Sequence, residues 1–282
     1  MPSRKIRLTL AYDGSSFSGW QVQPGARTVQ QELERAIQAL TSEPVRVMCA
    51  GRTDAGVHAL GQVASFESRS TIPAEKFAAA LQPRLPGDIV VLRSDQVADD
   101  FHATYSAVSK RYRYVIRCAN VEDPFLARFA WRMNVPLDVE AMQTAARSLL
   151  GRHDFRSFES QWPNKATSVR TVLDAEWRRC CQWPAWSVAP IDADRDGDTH
   201  PPEFLCFEIE ADGFLYNMVR AIVGTLVDVG RGRWPVDAIE DIIASQDRSR
   251  AGETAPACGL YLVQVNYPDS TAHGRQTCAA SN

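Results

Sequence analysis

The chain has 282 residues, of which 45% are hydrophobic and 23% charged, proportions typical of a globular enzyme. No apolar run approaches the roughly 20 residues of a membrane-spanning helix, and the basic N-terminus lacks the apolar stretch of a secretory signal. The seven cysteines include no Cys-x-x-Cys pair, which predicts reduced thiols and no zinc site. We therefore expect a cytoplasmic protein that does not contact a membrane.

Charge is distributed unevenly along the chain. The formal net charge is −3, yet residues 1–180 carry 24 basic and 19 acidic side chains, whereas residues 181–282 carry 7 and 15. This asymmetry is compatible with a basic, nucleic-acid-binding face in the first part of the fold.

The first part of the chain predicts alternating strands and helices. Thr28 and Gln31 form a capping box ahead of a helix, and Asp13-Gly14 ends the first strand. The glycines at 14 and 19 lack the lysine of a phosphate-binding loop, which excludes a nucleotide site there. The predicted order is a strand at 6–12, a helix at 29–40, strands at 45–48 and 62–66, a helix at 73–81 and a strand at 88–92. Such an order favours an α+β fold with helices on one face of a mostly antiparallel sheet.

The second part of the chain has similar ingredients. We expect strands at 110–117, 169–181, 204–211 and 260–267, and helices at 139–150 and 214–229, the first of them closed by Gly151. These elements predict an N-terminal half at 1–108 and a C-terminal half at 109–269. Residues 183–203, rich in Pro and Asp, predict an exposed insertion, and residues 270–282 a disordered tail.

The most informative segment is the loop at 51–59, Gly-Arg-Thr-Asp-Ala-Gly-Val-His-Ala. Asp54 lies between two glycines, with Arg52 before it and His58 after it, and strand-like residues flank the whole segment. Catalytic side chains are often placed on such loops of a rigid sheet. An aspartate beside a glycine also forms turns through its own backbone, so the spacing alone leaves both interpretations open.

Four motifs together resemble one enzyme family, the TruA-type tRNA pseudouridine synthases. Residues 51–59 resemble its signature loop, 110–114 its aromatic strand, 214–224 its arginine helix and 259–262 its closing strand. The similarity runs in order from about residue 4 to residue 268. It implies the pseudouridine synthase fold, in which two ferredoxin-like halves share one large, mostly antiparallel sheet crossed by a central active-site cleft.

The resemblance also implies a reaction and a partner. The family isomerises uridine to pseudouridine in the anticodon arm of tRNA, at nucleotide positions 38 to 40, as a homodimer and without a cofactor or metal. Such an isomerisation needs a carboxylate, a base for the uracil C5 proton and a pocket that retains the detached uracil.

By this resemblance, Asp54 is the catalytic carboxylate and Arg220 its cationic partner. A buried aspartate stays ionised only beside a cation, which favours such a pairing. The alternative is that Arg220 lies on a solvent stripe of its helix that Asp212 and Asp228 share. Attack by Asp54 on uracil C6 and attack on ribose C1′ are both open.

Two further residues are predicted to contact the substrate. Strand alternation places Lys110, Tyr112 and Tyr114 on the same face of their strand. Tyr112 is either a core aromatic or, as the resemblance favours, a ring stacked on the uracil whose hydroxyl accepts the C5 proton directly or through water. Arg52 either fills the space that the turned-out uridine leaves or binds a phosphate, and both roles place it at the RNA.

Two other function classes compete with this interpretation. One is an RNA-binding module that retains the fold without catalysis. The other is a hydrolase using Asp54 and His58 with a metal, against which the lack of further clustered His or Cys near the loop argues.

Overall fold

Strands from both halves of the chain lie in one sheet. The computed structural model describes residues 2–160, 167–184 and 203–268. Within these residues, ten strands belong to the sheet, and no helix is long and apolar enough to cross a bilayer. The predicted insertion at 183–203 falls almost entirely, and the predicted tail at 270–282 entirely, outside the described residues.

The elements follow the predicted order, with additional short ones. The N-terminal half contains β1 (Arg4–Tyr12), α1 (Val29–Thr41), β2 (Met48–Cys49), β3 (His58–Ser68), α2 (Phe77–Leu81) and β4 (Ile89–Val97). The C-terminal half contains β5 (Ser109–Cys118), β6 (Trp131–Met133), α3 (Val139–Arg147), β7 (Gly151–Asp154), β8 (Val169–Cys180), β9 (Phe204–Ala211), α4 (Met218–Gly230), α5 (Ala238–Ser245) and β10 (Leu260–Asn266).

The last strand joins the two halves. The strand order is β4-β1-β3-β10-β5-β9-β8-β7, with β2 beside β3 and β6 beside β5. Strand β10 runs parallel to β3 and antiparallel to β5, so that Tyr261 faces His58 on one side and Leu262 faces Tyr112 on the other. Among the described strands, every other pair except β5 with β6 is antiparallel. The predicted α+β class with a large, mostly antiparallel sheet is confirmed.

The predicted alternation along β5 is confirmed by the packing of its side chains. Tyr112, Tyr114 and Ile116 belong to the main core, which includes residues from all the helices. Val115 belongs to a smaller cluster with Cys206 on the other side of the sheet. Because Lys110 has the same parity as Tyr112, it projects from the helix-covered face of the sheet.

Several predicted bounds are wrong, for local reasons. The strand expected at 45–48 is replaced by the two-residue strand β2, because side chains of α1 bind the backbone of Val47. Gln30 donates to the Val47 carbonyl at 3.2 Å, and the Val47 N–H donates to the Glu34 carboxylate at 3.0 Å. Gly151 does not close α3, which ends at Arg147. With φ +94° it opens β7 instead, and β7 pairs with β8.

The helix predicted from residue 214 begins four residues later, at Met218. Asn217, immediately before it, adopts the left-handed conformation at φ +61°, which interrupts helical geometry. The helix is apolar on almost every side, because it is buried between the sheet and the segment at 251–256. This segment exchanges two hydrogen bonds with Arg220 of the helix, which fixes the position of that arginine.

Gly224 is where α4 approaches that segment most closely. A Cβ atom there would collide with the carbonyl oxygen of Glu253, so we expect Gly224→Ala to lower the free energy of unfolding by about 1–3 kcal/mol. Urea denaturation measures this, with Gly87→Ala as the matched control because a Cβ at Gly87 meets no atom within 4 Å. Equal stabilities of the two variants would contradict the packing described.

Candidate active site

The Asp54 loop joins β2 to β3, as the sequence predicts, and it is held by backbone and side-chain hydrogen bonds. Trp20 donates its backbone N–H to the Thr53 carbonyl at 3.0 Å, and the Tyr12 hydroxyl lies 2.8 Å from the Thr53 hydroxyl. Gln62 of β3 donates to the Gly51 carbonyl at 2.7 Å. These contacts fix both ends of the loop against strands β1 and β3.

Two glycines in left-handed conformation make this close packing feasible. Gly56 has φ +78° within the loop, and Gly19 has φ +89° in the neighbouring segment. A Cβ atom on Gly19 would lie only 2.7 Å from the Thr53 carbonyl oxygen. The segment that follows β1 therefore supports the Asp54 loop. This support was not predicted from the sequence, although the glycines at 14 and 19 signalled an unusual backbone.

The structure brings Asp54 and Arg220 together. Nη1 of Arg220 lies 3.9 Å from Oδ2 of Asp54, and their side chains are only 18% and 23% exposed, respectively. Burial raises the pKa of the Asp54 carboxyl group, and the positive charge of Arg220 acts in the opposite direction. Asp54 is thus partly desolvated, and the nearby guanidinium of Arg220 favours its ionised form.

Arg220 is oriented by groups that leave one side of it facing Asp54. Its Nε donates to the Ala255 carbonyl at 2.7 Å, and its Nη1 donates to Oδ1 of Asn217 at 2.9 Å. Asn217 in turn donates from Nδ2 to the Ser160 hydroxyl at 2.9 Å. The orienting role of Asn217 was not predicted from the sequence. The available signal was an asparagine directly before a helix, because asparagine adopts the left-handed backbone conformation more readily than most residues.

The solvent-stripe alternative for Arg220 does not fit these contacts. Asp228 binds Arg233 at 3.0 Å instead. Asp212 accepts the backbone N–H of Thr171 at 3.0 Å, at the end of the β8–β9 pairing. Both acidic residues therefore have other partners.

Tyr112 lies on the helix-covered face of the sheet, where it is 7% exposed. Its ring meets Phe214 edge to face at a centroid distance of 4.9 Å. Within the described part of the chain, its hydroxyl group makes no hydrogen bond. Burial, and then the nearby Tyr12 and Asp54, raise the pKa of Tyr112, so the phenol stays protonated.

Arg52 projects outward from the same loop as Asp54. Its side chain is exposed, and it makes no hydrogen bond or ion pair with any residue that the structure describes. A guanidinium held at the mouth of a cleft in this way is available to an external ligand.

His58 and His153 do not face Asp54 with a free nitrogen. Nδ1 of His58 accepts the Gly14 N–H at 3.0 Å, and its Nε2 lies 3.0 Å from the Arg128 carbonyl. Its ring also stacks on Tyr261 at 4.8 Å. His153 binds the Leu150 carbonyl at 2.7 Å in β7, far along the sheet from β3. Both histidines therefore have structural partners.

The cleft thus contains one carboxylate beside one guanidinium, a protonated phenol and an exposed arginine. The carboxylate can act as a nucleophile or stabilise a developing cation, and the aromatic ring can stack on a planar base. Both halves of the chain contribute, because Asp54 and Arg52 precede β3 whereas Tyr112 and Arg220 belong to β5 and α4.

Comparisons with known proteins agree with the resemblance. The profile of a family described as tRNA pseudouridine synthase matches residues 9–106 and 145–268. The chain is 46% identical over 264 residues to tRNA pseudouridine synthase A of Acetivibrio thermocellus, covering 94% of this chain and 100% of the relative. The tRNA pseudouridine synthase A of Moorella thermoacetica is 47% identical over 264 residues, covering 93% and 99%.

A third relative has a numbered form of the same name. The tRNA pseudouridine synthase A 2 of Clostridium perfringens is 42% identical over 265 residues, covering 94% of this chain and 100% of the relative. Identities of this size over nearly the full length of both partners confirm the predicted family and enzyme class. The chain belongs to the tRNA pseudouridine synthase family, which is a family of isomerases.

Proposed function

We propose that this protein isomerises uridine to pseudouridine in the anticodon arm of tRNA, at nucleotide positions 38 to 40, with Asp54 as the nucleophile and without a cofactor. The observation that carries the proposal is the carboxylate of Asp54 held 3.9 Å from Arg220 in the cleft where both halves meet. The names of the relatives support the class of substrate. The four motifs that resemble the TruA-type enzymes support the anticodon arm.

The reaction rearranges bonds without net addition or loss of atoms. The C1′–N1 glycosidic bond of uridine breaks, the uracil rotates, and a C1′–C5 bond forms. The proton of C5 leaves to a base, and N1 of the product carries a proton. Asp54 opens this sequence by attack on uracil C6 or on ribose C1′, and its position in the cleft is compatible with either.

Arg220 makes the Asp54 carboxylate available for this attack. Burial raises the pKa of Asp54, and a buried carboxyl group without a cation would hold its proton more tightly. The positive charge of Arg220 counteracts burial and maintains the ionised form. The fixed geometry of the arginine matters as well, because its Nε is bound to the Ala255 carbonyl.

Tyr112 serves as the wall on which the uracil stacks. Because its pKa is raised, the phenol is protonated and is not the resting base for the C5 proton. Its hydroxyl, which has no hydrogen-bond partner among the described residues, can instead relay that proton through water. Of the two expected routes for the C5 proton, direct acceptance by the hydroxyl and transfer through water, the raised pKa of Tyr112 favours transfer through water.

Arg52 acts on the RNA at the mouth of the cleft. A uridine within a stem or loop must leave its stack at a cost of a few kcal/mol. An exposed arginine two residues before the nucleophile can compensate by occupying the vacated space or by binding a phosphate. Both roles require Arg52 to contact the RNA next to the uridine that has left its stack.

The proposal includes a cytoplasmic homodimer. The chain is slightly acidic overall, with a net charge of −3, so a second copy would add basic side chains that contact RNA phosphates. The six cysteines within the described residues form no disulfide with one another, which is compatible with a reducing compartment.

The direct test maps pseudouridine in unmodified tRNA transcripts by carbodiimide labelling and primer extension. We expect wild-type protein to produce a stop in the anticodon arm. Asp54→Asn should lose it, because removal of a nucleophile lowers rates by roughly 10⁴-fold or more. Asp241→Asn, on the exposed surface of α5, is the matched control and should retain activity. Binding of tRNA without any stop would contradict the proposal and favour the non-catalytic RNA-binding module.

Asn217 is a positioning residue for Arg220 and provides a second test. Asn217→Gly removes the amide with its hydrogen bonds to Arg220 and Ser160, and it still permits the left-handed backbone. We expect kcat/KM to fall about tenfold. The acid limb of its pH profile should also move to higher pH, because a loosened Arg220 opposes the raised pKa of Asp54 less effectively.

The control for this variant is Asn134→Gly, the same change at an exposed position between β6 and α3. It should leave both kcat/KM and the pH profile unchanged. A merely structural role of Asn217 would lower kcat/KM without displacing the acid limb, and that result would contradict the assignment.

A further inference from the structure

Lys110 lies against the start of the Asp54 loop but has no role in the chemistry described above. It is the second residue of β5 and precedes Tyr112 by two positions on the same face. A Cβ atom on Gly51 would lie 3.7 Å from Nζ of Lys110 and 3.6 Å from its Cδ. The ammonium group is therefore beside the backbone three residues before Asp54.

The charge of Lys110 is unpaired, unlike those of its neighbours along the strand. Lys110 makes no hydrogen bond or ion pair with the residues that the structure describes. On the opposite face, Arg111 binds Glu210 at 2.8 Å, and Arg113 binds Glu208. Strand β5 thus neutralises its cations on one face of the sheet and leaves one without a counterion on the face of the cleft.

A second cation lies close enough to Lys110 to act on it. Burial lowers the pKa of Lys110 most, and the charge of Arg170 lowers it as well, whereas Cys49 and Asp212 act in the opposite direction. Arg170 on β8 binds only the carbonyl groups of residues 167 and 169 in the part of the chain described, with no carboxylate in ion-pair range. An ammonium group that is partly desolvated without a counterion is unfavourable, which indicates that an anion completes the site.

We propose that Lys110 binds a phosphodiester group of the RNA next to the nucleotide that enters the Asp54 pocket, with Arg52 and Arg170 supplying the surrounding positive charge. This phosphate site rests on the proposed function, because it places a specific RNA linkage beside the reacting nucleotide. A phosphodiester matches the charge that the cations lack, and a lysine binds it as a point charge. A neutral uracil carbonyl would leave the site with its excess positive charge.

The experiment compares Lys110→Met with Lys76→Met, measuring tRNA affinity as a function of salt concentration by filter binding. Lys76 is an exposed lysine beside α2, which packs on β4 at the far edge of the sheet, so its removal changes net charge equally. We expect Lys110→Met to weaken binding about tenfold. The slope of log K against log salt should fall by about 0.7–0.9, the loss of one phosphate contact. Lys76→Met should change neither.

A second measurement identifies the linkage and does not depend on the stability of one variant. Transfer RNAs carrying a single neutral methylphosphonate at each linkage around the target uridine are bound to the wild type, to Lys110→Met and to Lys110→Arg. One linkage should weaken binding to the wild type and to Lys110→Arg while leaving binding to Lys110→Met unaffected. If Lys110→Met fails to fold, Lys110→Gln, which also removes the charge but keeps a polar side chain, takes its place in the same comparison.

The outcomes separate this site from the proposed function. Should Lys110→Met behave as Lys76→Met, or lower only kcat with the salt slope intact, the phosphate site is refuted even if the wild type forms pseudouridine. Should the wild type bind tRNA through a methylphosphonate-sensitive linkage but form no pseudouridine, the site stands and the proposed isomerase function falls.

Discussion

The ion pair between Asp54 and Arg220 links the two halves of the chain. Asp54 belongs to a loop of the N-terminal half, and Arg220 to a helix of the C-terminal half. Their 3.9 Å approach requires the two halves to share one sheet, and β10 makes this possible by pairing with β3 on one side and β5 on the other. The cleft is therefore a product of how the final strand closes the fold.

The ion pair also balances two opposing electrostatic effects. A carboxylate deep in a protein loses hydration, which raises its pKa, and a cation in contact would lower it. At 3.9 Å, Arg220 is close enough to oppose the effect of burial on Asp54, yet its strongest hydrogen bonds go to Ala255 and Asn217. Asp54 is consequently partly desolvated and keeps oxygen lone pairs free for a substrate, a suitable state for a nucleophile.

The parts of the site that lie in local sequence motifs could be predicted from the sequence. The loop at Asp54, the alternation around Tyr112 and the apolar helix bearing Arg220 all have local signatures in glycine placement or periodicity. The orienting role of Asn217 and the support of Thr53 by the backbone near Gly19 lacked such signatures, because they depend on contacts between distant segments. Likewise, periodicity places Lys110 on the same face as Tyr112, but only the folded chain reveals that no carboxylate of the described residues forms an ion pair with it.

The most direct test of the central claim is a pH titration of the Asp54 carboxyl carbon by NMR, in protein labelled with ¹³C-aspartate and assigned with Asp54→Asn. We expect the pKa of Asp54 to lie above the ordinary aspartate value in the wild type, and Arg220→Gln to raise it further. An unchanged or lower pKa in Arg220→Gln would show that the arginine does not sustain the ionised carboxylate.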